Sequence, residues 1–430
     1  MLIGGILRDS SFFCIKMSAY PFFYPMAFPQ WKEKLLYWAD SRFSYFALTQ
    51  GNEHSYPQNP FDSCFFAGNK ELSENDLWQK RAFKVGVLGY DFKNQIEKLE
   101  SNNPEFFSLP DLCFFVPELI FKIDSEGIYA SSRLSAEFLS EIETQVIPET
   151  GSVTCKISPQ ITRESYLKSV QNIQNEISEG NTYEANFCQA YSGEFETWSP
   201  IAAFLRLNQL SRMPFAALFK AKNNWLVSAS PERFLKKSGS SLIAQPIKGT
   251  IRRGETASQD SENRKKLLAS EKERAENLMI TDLMRNDLAR VSKTGTVRVE
   301  ELFGIYPFPR VLQMISTVCS ELNPDTSLKE IIRATFPMGS MTGAPKISTM
   351  KIIEREESFK RGWFSGAFGW IDESGDFDFS VIIRSIIADS EAKKLYFGVG
   401  SAITIDASAA QEYEECELKA QAILELLRGN

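Results

Sequence analysis

Hydrophobic and polar residues follow two different periods along this chain. In the first part, aromatic and β-branched runs such as residues 43–48 and 84–90 are separated by polar turns, which predicts strands joined by loops. Elsewhere, apolar residues recur every three or four positions, which predicts helices. These predicted helices cover residues 162–179, 260–291 and 408–428, and further short strands are predicted at 214–220, 225–230 and 242–245.

The order of these elements indicates the fold class. No repeating βαβ units are visible, so a doubly wound parallel sheet is not expected. We predict an α+β fold of mainly antiparallel β-sheets packed face to face with helices on the outside. A connector near residues 148–152 separates an N-terminal region, residues 1–150, from a catalytic region, residues 151–430. We expect the first region to pack intimately on the second.

Composition excludes several classes of protein. The net charge is -7 and Lys and Arg are scattered, so a nucleic-acid footprint is not expected. No run reaches the roughly 18 apolar residues of a membrane span. Arg8 and Asp9 interrupt the apolar start before it could form an export signal. The seven cysteines are widely spaced without a C-x-x-C pair, which indicates a reduced, cytoplasmic protein.

The single histidine narrows the possible chemistry. His54 lies in a polar, turn-like stretch, residues 51–57, where a surface loop is expected. Catalytic triads, H-E-x-x-H zinc helices and imidazole-based proton transfer are therefore not expected. Proton transfer must use Lys, Glu, Asp or Tyr.

Two segments place candidate binding groups at turns. In P-I-K-G-T, residues 246–250, a predicted strand delivers Lys248 beside a glycine, although an isolated lysine there would be ordinary. In G-S-M-T-G-A-P-K, residues 339–346, two glycines allow close backbone approach, and Pro345 suits a first helical turn whose amides attract an anion. A plain helix cap is an equally good interpretation.

Three glutamates form the candidate metal group. Glu412 and Glu415 are three residues apart and share one face of the last helix, while Glu276 lies among apolar neighbours. Carboxylates without histidine or thiolate ligands suit Mg²⁺. Capping of the helix dipole is the simpler explanation for the last pair.

Five motifs in order resemble the chorismate-utilising enzymes, a family that contains anthranilate, aminodeoxychorismate, isochorismate and salicylate synthases. They span residues 158–428, and the N-terminal region resembles the family more loosely through residues 89–91 and 109–111. The motifs are S-P-E-R-F (230–234), P-I-K-G-T (246–250), a segment that includes D-L-M-R-N-D-L-A-R (275–290), G-S-M-T-G-A-P-K (339–346) and E-Y-E-E (412–415).

The resemblance implies a reaction and its cofactor. Lysine before Gly249 is typical of aminodeoxychorismate synthases, whereas anthranilate and isochorismate synthases usually have alanine there. Lys248 would attack C2 of chorismate and expel the C4 hydroxyl, after which ammonia would add at C4. This requires a neutral Lys248, which burial or Arg252 would favour. Glu232 would be the acid–base residue, and the three glutamates above would hold Mg²⁺.

The resemblance also implies a substrate-binding set and a partner. Ammonia would come from a separate glutamine amidotransferase subunit, because no glutaminase domain is recognisable here. The implied substrate-binding residues are Thr250, Gln313, Gly339, Thr342, Lys346, Arg384 and Gly400.

Four residues depart from the family pattern. Relatives frequently have histidine at the position of Gln313 and tyrosine at the position of Trp370. At the position of Ala402 they often have glycine. Glu184 stands where amino-transferring members usually have glutamine and isochorismate synthases have lysine. Residues 1–100 lack the L-L-E-S segment typical of tryptophan-regulated members.

Two other functions compete with amino transfer at C4. Anthranilate synthase would release pyruvate, and Lys248 argues against it. The departures at Gln313, Trp370 and Ala402 motivate a second alternative, a catalytically silent chorismate-binding subunit. The joint presence of the nucleophile, the acid–base residue and the three metal candidates argues against it.

Overall fold

The structure is a computed structural model that describes residues 19–149 and 154–428. It contains two large β-sheets in which every strand pairing is antiparallel. The twelve-stranded sheet contains β1 (Phe22–Pro25), β2 (Tyr45–Gln50), β3 (Cys64–Gly68), β7 (Leu119–Ile123), β8 (Gly127–Ala130), β9 (Thr154–Pro159), β10 (Glu184–Thr197), β11 (Phe215–Ala221), β12 (Asn224–Ser230), β18 (Gly343–Ala344), β21 (Ser385–Asp389) and β22 (Lys394–Ile403). The ten-stranded sheet contains β4 (Lys70–Glu71), β5 (Lys84–Leu88), β6 (Leu112–Val116), β13 (Arg233–Ser238), β14 (Ser241–Gln245), β15 (Ile247–Arg252), β16 (Arg298–Pro307), β17 (Val311–Glu321), β19 (Ala367–Ile371) and β20 (Phe377–Val381).

Eleven α-helices in the described residues accompany the sheets. They are α1 (Trp31–Arg42), α2 (Glu74–Gln79), α3 (Lys93–Ile96), α4 (Ala136–Thr144), α5 (Arg163–Ser178), α6 (Pro200–Ser211), α7 (Ala257–Ala269), α8 (Glu271–Ala289), α9 (Leu328–Thr335), α10 (Lys346–Glu356) and α11 (Ala409–Leu427). The predicted helices at α5 and α11 are confirmed, and Thr162 caps α5 by accepting a hydrogen bond from the Ser165 amide.

The predicted helix over residues 260–291 is two helices. Ser270 has φ -68° and ψ 112°, outside the helical region, and its side chain accepts a hydrogen bond from the Glu273 amide. It therefore ends α7 and caps α8. Leu268 and Ala275, on either side of Ser270, are seven residues apart, which is also the spacing of a continuous helix, so the sequence pattern did not reveal the break.

Two hydrophobic cores hold the layers together. Phe66 and Phe219 of the twelve-stranded sheet share one core with Val87 and Phe379 of the ten-stranded sheet. The opposite face of the twelve-stranded sheet forms a second core with helices α1, α4, α5, α6 and α11. Helices α7 and α8 pack against β15, β16 and β17 of the other sheet. The predicted α+β class, with antiparallel sheets face to face and helices outside, is confirmed.

Strands from both sides of residue 150 pair within each sheet. In the twelve-stranded sheet β2 pairs with β11, and in the ten-stranded sheet β5 pairs with β19. The division into regions at residue 150 stays a prediction. Among the described residues, no helix combines the length and the apolar character needed to cross a bilayer.

Candidate active site

Charged side chains from four elements converge near Lys248. Lys248 follows the first residue of β15, and Gly249 after it has φ 97°, a left-handed conformation that favours glycine. The pairing of β15 with β17 shifts register between Ile247 and Thr250, so Lys248 lies in a bulge. Asn277 of α8 donates a hydrogen bond of 3.1 Å to the Lys248 carbonyl, which ties the bulge to the helix.

The Lys248 ammonium lies 3.1 Å from a carboxylate oxygen of Glu184, at the start of β10. Glu184 is buried, with 1% of its side chain exposed, and the Lys248 side chain is largely enclosed, with 12% exposed. Burial alone would lower the pKa of Lys248, but the carboxylates of Glu184 and Glu276 outweigh it and raise that pKa. Burial therefore acts as expected, but the neighbouring carboxylates outweigh it and favour the charged form, and the neutral Lys248 that nucleophilic attack requires stays a prediction. The Arg252 side chain is exposed at the end of the strand.

Glu232 lies between β12 and β13 and is also buried. Burial raises the pKa of its carboxyl group to about 7, although Lys248 opposes this effect. The Glu232 carbonyl accepts a 3.0 Å hydrogen bond from the Val381 amide, which fixes the backbone here. A carboxyl group that keeps its proton up to neutral pH can serve as a general acid.

Glu276 and Glu412 share one cation. The ammonium of Lys272 lies 3.1 Å from Glu412 and 3.9 Å from Glu276, so one positive charge stands between α8 and α11. Glu276 Oε1 is buried without a hydrogen-bond partner in the described part of the chain. Burial is the main reason that the pKa of Glu276 rises to about 7.

The third metal candidate has a different partner. Glu415 is half-exposed and pairs with Lys419 at 2.5 Å, and Lys419 also donates a 2.8 Å hydrogen bond to the Gly400 carbonyl. Burial would raise the pKa of Glu415, but Lys419 outweighs it and lowers that pKa. Within residues 19–149 and 154–428, no three His, Cys, Asp or Glu side chains come close enough together to hold a metal ion. The Mg²⁺ site therefore stays a prediction.

Arg384 is a candidate anion-binding residue. Its backbone has φ 53°, which is uncommon for a residue with a side chain and occurs at binding sites. Burial lowers the pKa of its guanidinium, although the negative charge of Glu415 opposes this. No ion pair involves Arg384 within the described ranges. A planar guanidinium that forms no ion pair within the described residues suits a carboxylate ligand.

The predicted binding loop, residues 339–346, is held mainly by the protein itself. The Thr342 hydroxyl donates to the Met338 and Gly339 carbonyls, both at 3.2 Å. Lys346 pairs with Asp287 of α8 at 2.5 Å. A Cβ atom on Gly339 would lie 2.7 Å from Leu283 of α8. Lys346 and the close approach at Gly339 therefore hold the loop on α8, and Thr342 bonds within the loop. A role for these residues in contacting substrate stays a prediction.

The remaining candidates lie around the same strands. Thr250 is exposed and stands opposite the buried Gln313 across the β15–β17 pair. A Cβ atom on Gly400 would lie 2.5 Å from the Cys188 sulfur of β10, so this glycine is required by strand packing. Their predicted contacts with substrate stay predictions.

Two of the four departures lie within the β-sheets, and the sole histidine lies in the predicted loop. Trp370 is buried in β19 and stacks on Phe83 with ring centroids 5.8 Å apart. Ala402 lies opposite Asn186 in the β10–β22 pair. His54 is in a loop, as predicted, and its ring contacts the Arg212 carbonyl.

Sequence reasoning missed two lysines and the role of one glutamate. Lys272 precedes Glu276 by four residues and Lys419 follows Glu415 by four, a spacing that places each pair on one helix face. That spacing was the available signal. Glu184 was noticed only as a departure, because its contact with Lys248 joins residues far apart in the chain.

Comparisons with known proteins identify the family of this chain. The family described as chorismate binding enzyme matches residues 29–425. The component 1 aminodeoxychorismate synthase of Escherichia coli is 33% identical over 80% of this chain and 76% of its own length. The component 1 aminodeoxychorismate synthase of Bacillus subtilis is 32% identical over 79% of this chain and 75% of its own length. The chloroplastic aminodeoxychorismate synthase of Arabidopsis thaliana is 34% identical over 79% of this chain, which spans 39% of that longer protein.

Solved structures share the fold. Anthranilate synthase component I from Streptococcus pneumoniae has a TM-score of 0.70 and 25% identity, with 87% of this chain and 89% of that one covered. The menaquinone-specific isochorismate synthase of Escherichia coli has a TM-score of 0.76 and 16% identity, with 94% of this chain and 93% of that one covered. With the family match extending over most of the chain, this protein belongs to the chorismate binding enzyme family.

Proposed function

We propose that this chain is the chorismate-converting component of an aminodeoxychorismate synthase. The bacterial relatives named for that activity cover about 80% of the chain. The observation that carries the proposal is Lys248 itself, a largely enclosed amine at a strand bulge within 3.1 Å of a carboxylate. A lysine with this enclosure suits nucleophilic catalysis.

The proposed chemistry uses two of the chain's own groups. The neutral Nζ of Lys248 forms a bond to C2 of chorismate while the C4–oxygen bond breaks. Glu232, whose pKa of about 7 keeps it protonated near neutrality, gives its proton to the departing hydroxyl, which leaves as water. Ammonia then forms the C4–nitrogen bond as the C2–Nζ bond breaks, and the new ammonium returns a proton to Glu232.

The surrounding charges suit an anionic substrate. Arg384 and Lys419 would provide positive charge for carboxylates, and Lys419 donates a hydrogen bond to the Gly400 carbonyl. Glu276 and Glu412, which share Lys272, would hold Mg²⁺ together with Glu415, and the three carboxylates would have to come closer together to do so. Bound there, the ion would neutralise the negative charge of the substrate's ring carboxylate.

We propose a glutamine amidotransferase subunit as the source of ammonia, because the relatives are named component 1. None of the six cysteines in the described residues forms a disulfide bond, which suits a reducing compartment such as the cytoplasm.

Product analysis tests the proposal. The purified chain is incubated with chorismate, Mg²⁺ and an ammonium salt, and the products are identified by chromatography with mass spectrometry. We expect aminodeoxychorismate without pyruvate, and loss of this product in Lys248→Ala. The matched control is Lys266→Ala, an exposed lysine of α7 paired with Glu262.

Other products would overturn the proposal. Anthranilate with pyruvate would assign the chain to the competing reaction. Chorismate that stays unchanged even after an amidotransferase subunit and glutamine are added would support a catalytically silent subunit.

A further inference from the structure

Glu184 is a buried carboxylate with one partner. Its side chain is 1% exposed, and it lies 3.1 Å from Lys248 Nζ. Apart from that ion pair, neither carboxylate oxygen has a hydrogen-bond partner among the described residues. Such a carboxylate is costly to bury, so a structural role would normally bring further donors.

The backbone around Glu184 holds the side chain in position. Glu184 pairs with Ala344 of β18, and its carbonyl accepts a hydrogen bond of 3.1 Å from the Thr182 hydroxyl. The Thr182 hydroxyl also contacts Thr349 of α10 at 2.7 Å. The carboxylate is therefore placed against Lys248 by two strands and a helix, with no dependence on a mobile surface side chain.

Lys248 needs a proton acceptor that lies inside the site. The carboxylates that act on it come from every element around it: Glu184 of β10, Glu273 and Glu276 of α8, Glu415 of α11, and Glu232 before β13. In the described part of the chain, Glu184 alone is within 4.0 Å of Nζ. Glu232 serves the leaving hydroxyl in the proposed function, so it is not free to take this proton.

We propose that Glu184 accepts the proton that Lys248 must lose before it attacks chorismate. This inference rests on the proposed function. The N–H bond of Lys248 breaks, an O–H bond forms on Glu184, and the electron pair left on Nζ forms the bond to C2. This transfer converts two opposite charges into two neutral groups. Its free-energy cost falls once substrate excludes water from the pair, because the charged forms then lose solvation. When ammonia displaces Lys248, Glu184 returns the proton to the departing amine.

Glu184→Gln tests this role while preserving shape. Acetic anhydride reacts with neutral amines, so acetylation of Lys248 at different pH values, read by peptide mass spectrometry, reports its ionisation without catalysis. Removing the carboxylate should lower the acetylation midpoint by about one pH unit or more. The variant also creates the glutamine that amino-transferring relatives usually have here, so it asks whether this chain depends on the carboxylate that replaces it. We expect catalysis to become worse, because the proton then has to leave to solvent.

The proposal predicts how kcat/KM depends on pH in the wild type and in Glu184→Gln. At fixed free ammonia and between about pH 6 and 7, kcat/KM of the wild type should not rise and should fall by no more than about twofold, because the proton moves within the pair and only Glu232 begins to ionise. In Glu184→Gln it should rise about tenfold per pH unit over the same range, and at pH 7 it should be about 100-fold or more below the wild type. Glu194→Gln, an exposed position on the same strand, should match the wild type.

Each outcome distinguishes this inference from the function on which it rests. If Lys248→Ala keeps full product formation, the nucleophile and the acceptor both fail. If Lys248 is essential but Glu184→Gln keeps the wild-type profile, only the acceptor role fails. The wild type alone gives a second test should the variant not fold: a kcat/KM that rises tenfold per pH unit from about pH 6 to 7 would contradict transfer within the pair.

Discussion

Glutamates around Lys248 ionise differently because their surroundings differ. Burial raises the pKa of Glu232 and of Glu276 to about 7, whereas Lys419 lowers the pKa of Glu415. One residue type therefore provides both a proton donor and, at Glu415, a carboxylate that stays charged to lower pH. Residue identity alone predicted that these glutamates matter but not which of them holds a proton.

Replacing Glu232 by glutamine should abolish proton delivery to the leaving hydroxyl. We expect kcat to fall by about 10²- to 10⁴-fold. The wild type should lose activity as pH rises through about 7, because Glu232 is needed in its protonated form and its pKa is raised to that value. A pH–rate profile should lack this limb in Glu232→Gln. A variant that keeps the limb would place the acid elsewhere.

Replacing Arg384 by methionine should weaken chorismate binding. Loss of a charge-assisted hydrogen bond of about 1.5–3 kcal/mol corresponds to a KM increase of about 10- to 100-fold, with a smaller change in kcat. Steady-state kinetics with chorismate as the varied substrate measure this. Arg252→Met, at an exposed position of β15, is the control. An unchanged KM in Arg384→Met would remove this residue from the binding set.

Helix α8 is the element that links the nucleophile to the candidate metal ligands. Within two turns this helix presents Lys272, Glu276 and Asn277. Asn277 also donates a hydrogen bond of 3.3 Å to the Met314 carbonyl of β17. The sequence predicted a helix here but not its start at Ser270. The capping serine fixes where α8 begins relative to β15, and such a local hydrogen bond leaves no trace in apolar periodicity.

Lys272→Met should strengthen Mg²⁺ binding. The lysine ammonium stands between Glu276 and Glu412, where it competes with any added cation. Because Lys272 is half-exposed, we expect a modest fall in the Mg²⁺ dissociation constant, about two- to fivefold. Titration calorimetry without chorismate measures it, with Lys266→Met as the control. An unchanged or weaker affinity would mean that these glutamates do not bind the ion.

At the scale of the whole molecule, aromatic side chains join the two sheets. Phe219 of β11 lies 6.3 Å from Phe115 of β6 and 5.6 Å from Phe368 of β19, measured between ring centroids. Alternating aromatic runs predicted antiparallel sheets facing one another, and this was confirmed. The pairing partners were not predictable, because strands as distant as β2 and β11 meet only through the tertiary fold.

Phe219→Ala should destabilise the molecule as a whole. The side chain is fully buried, so its removal leaves a cavity between the sheets and should lower the free energy of unfolding by about 3–5 kcal/mol. Urea denaturation followed by tryptophan fluorescence measures the change. Phe23→Ala, at a position 41% exposed in β1, should have a much smaller effect. Equal effects of the two variants would argue against a shared core between the sheets.

Trapping the covalent intermediate tests the central claim most directly. The enzyme is mixed with chorismate and Mg²⁺ without ammonia, quenched rapidly, and digested for peptide mass spectrometry. We predict that the peptide containing Lys248 gains the mass of chorismate less one water, and that addition of ammonia removes this adduct. Aminodeoxychorismate formation at a normal rate with no adduct on Lys248, or in the Lys248→Ala variant, would contradict the account.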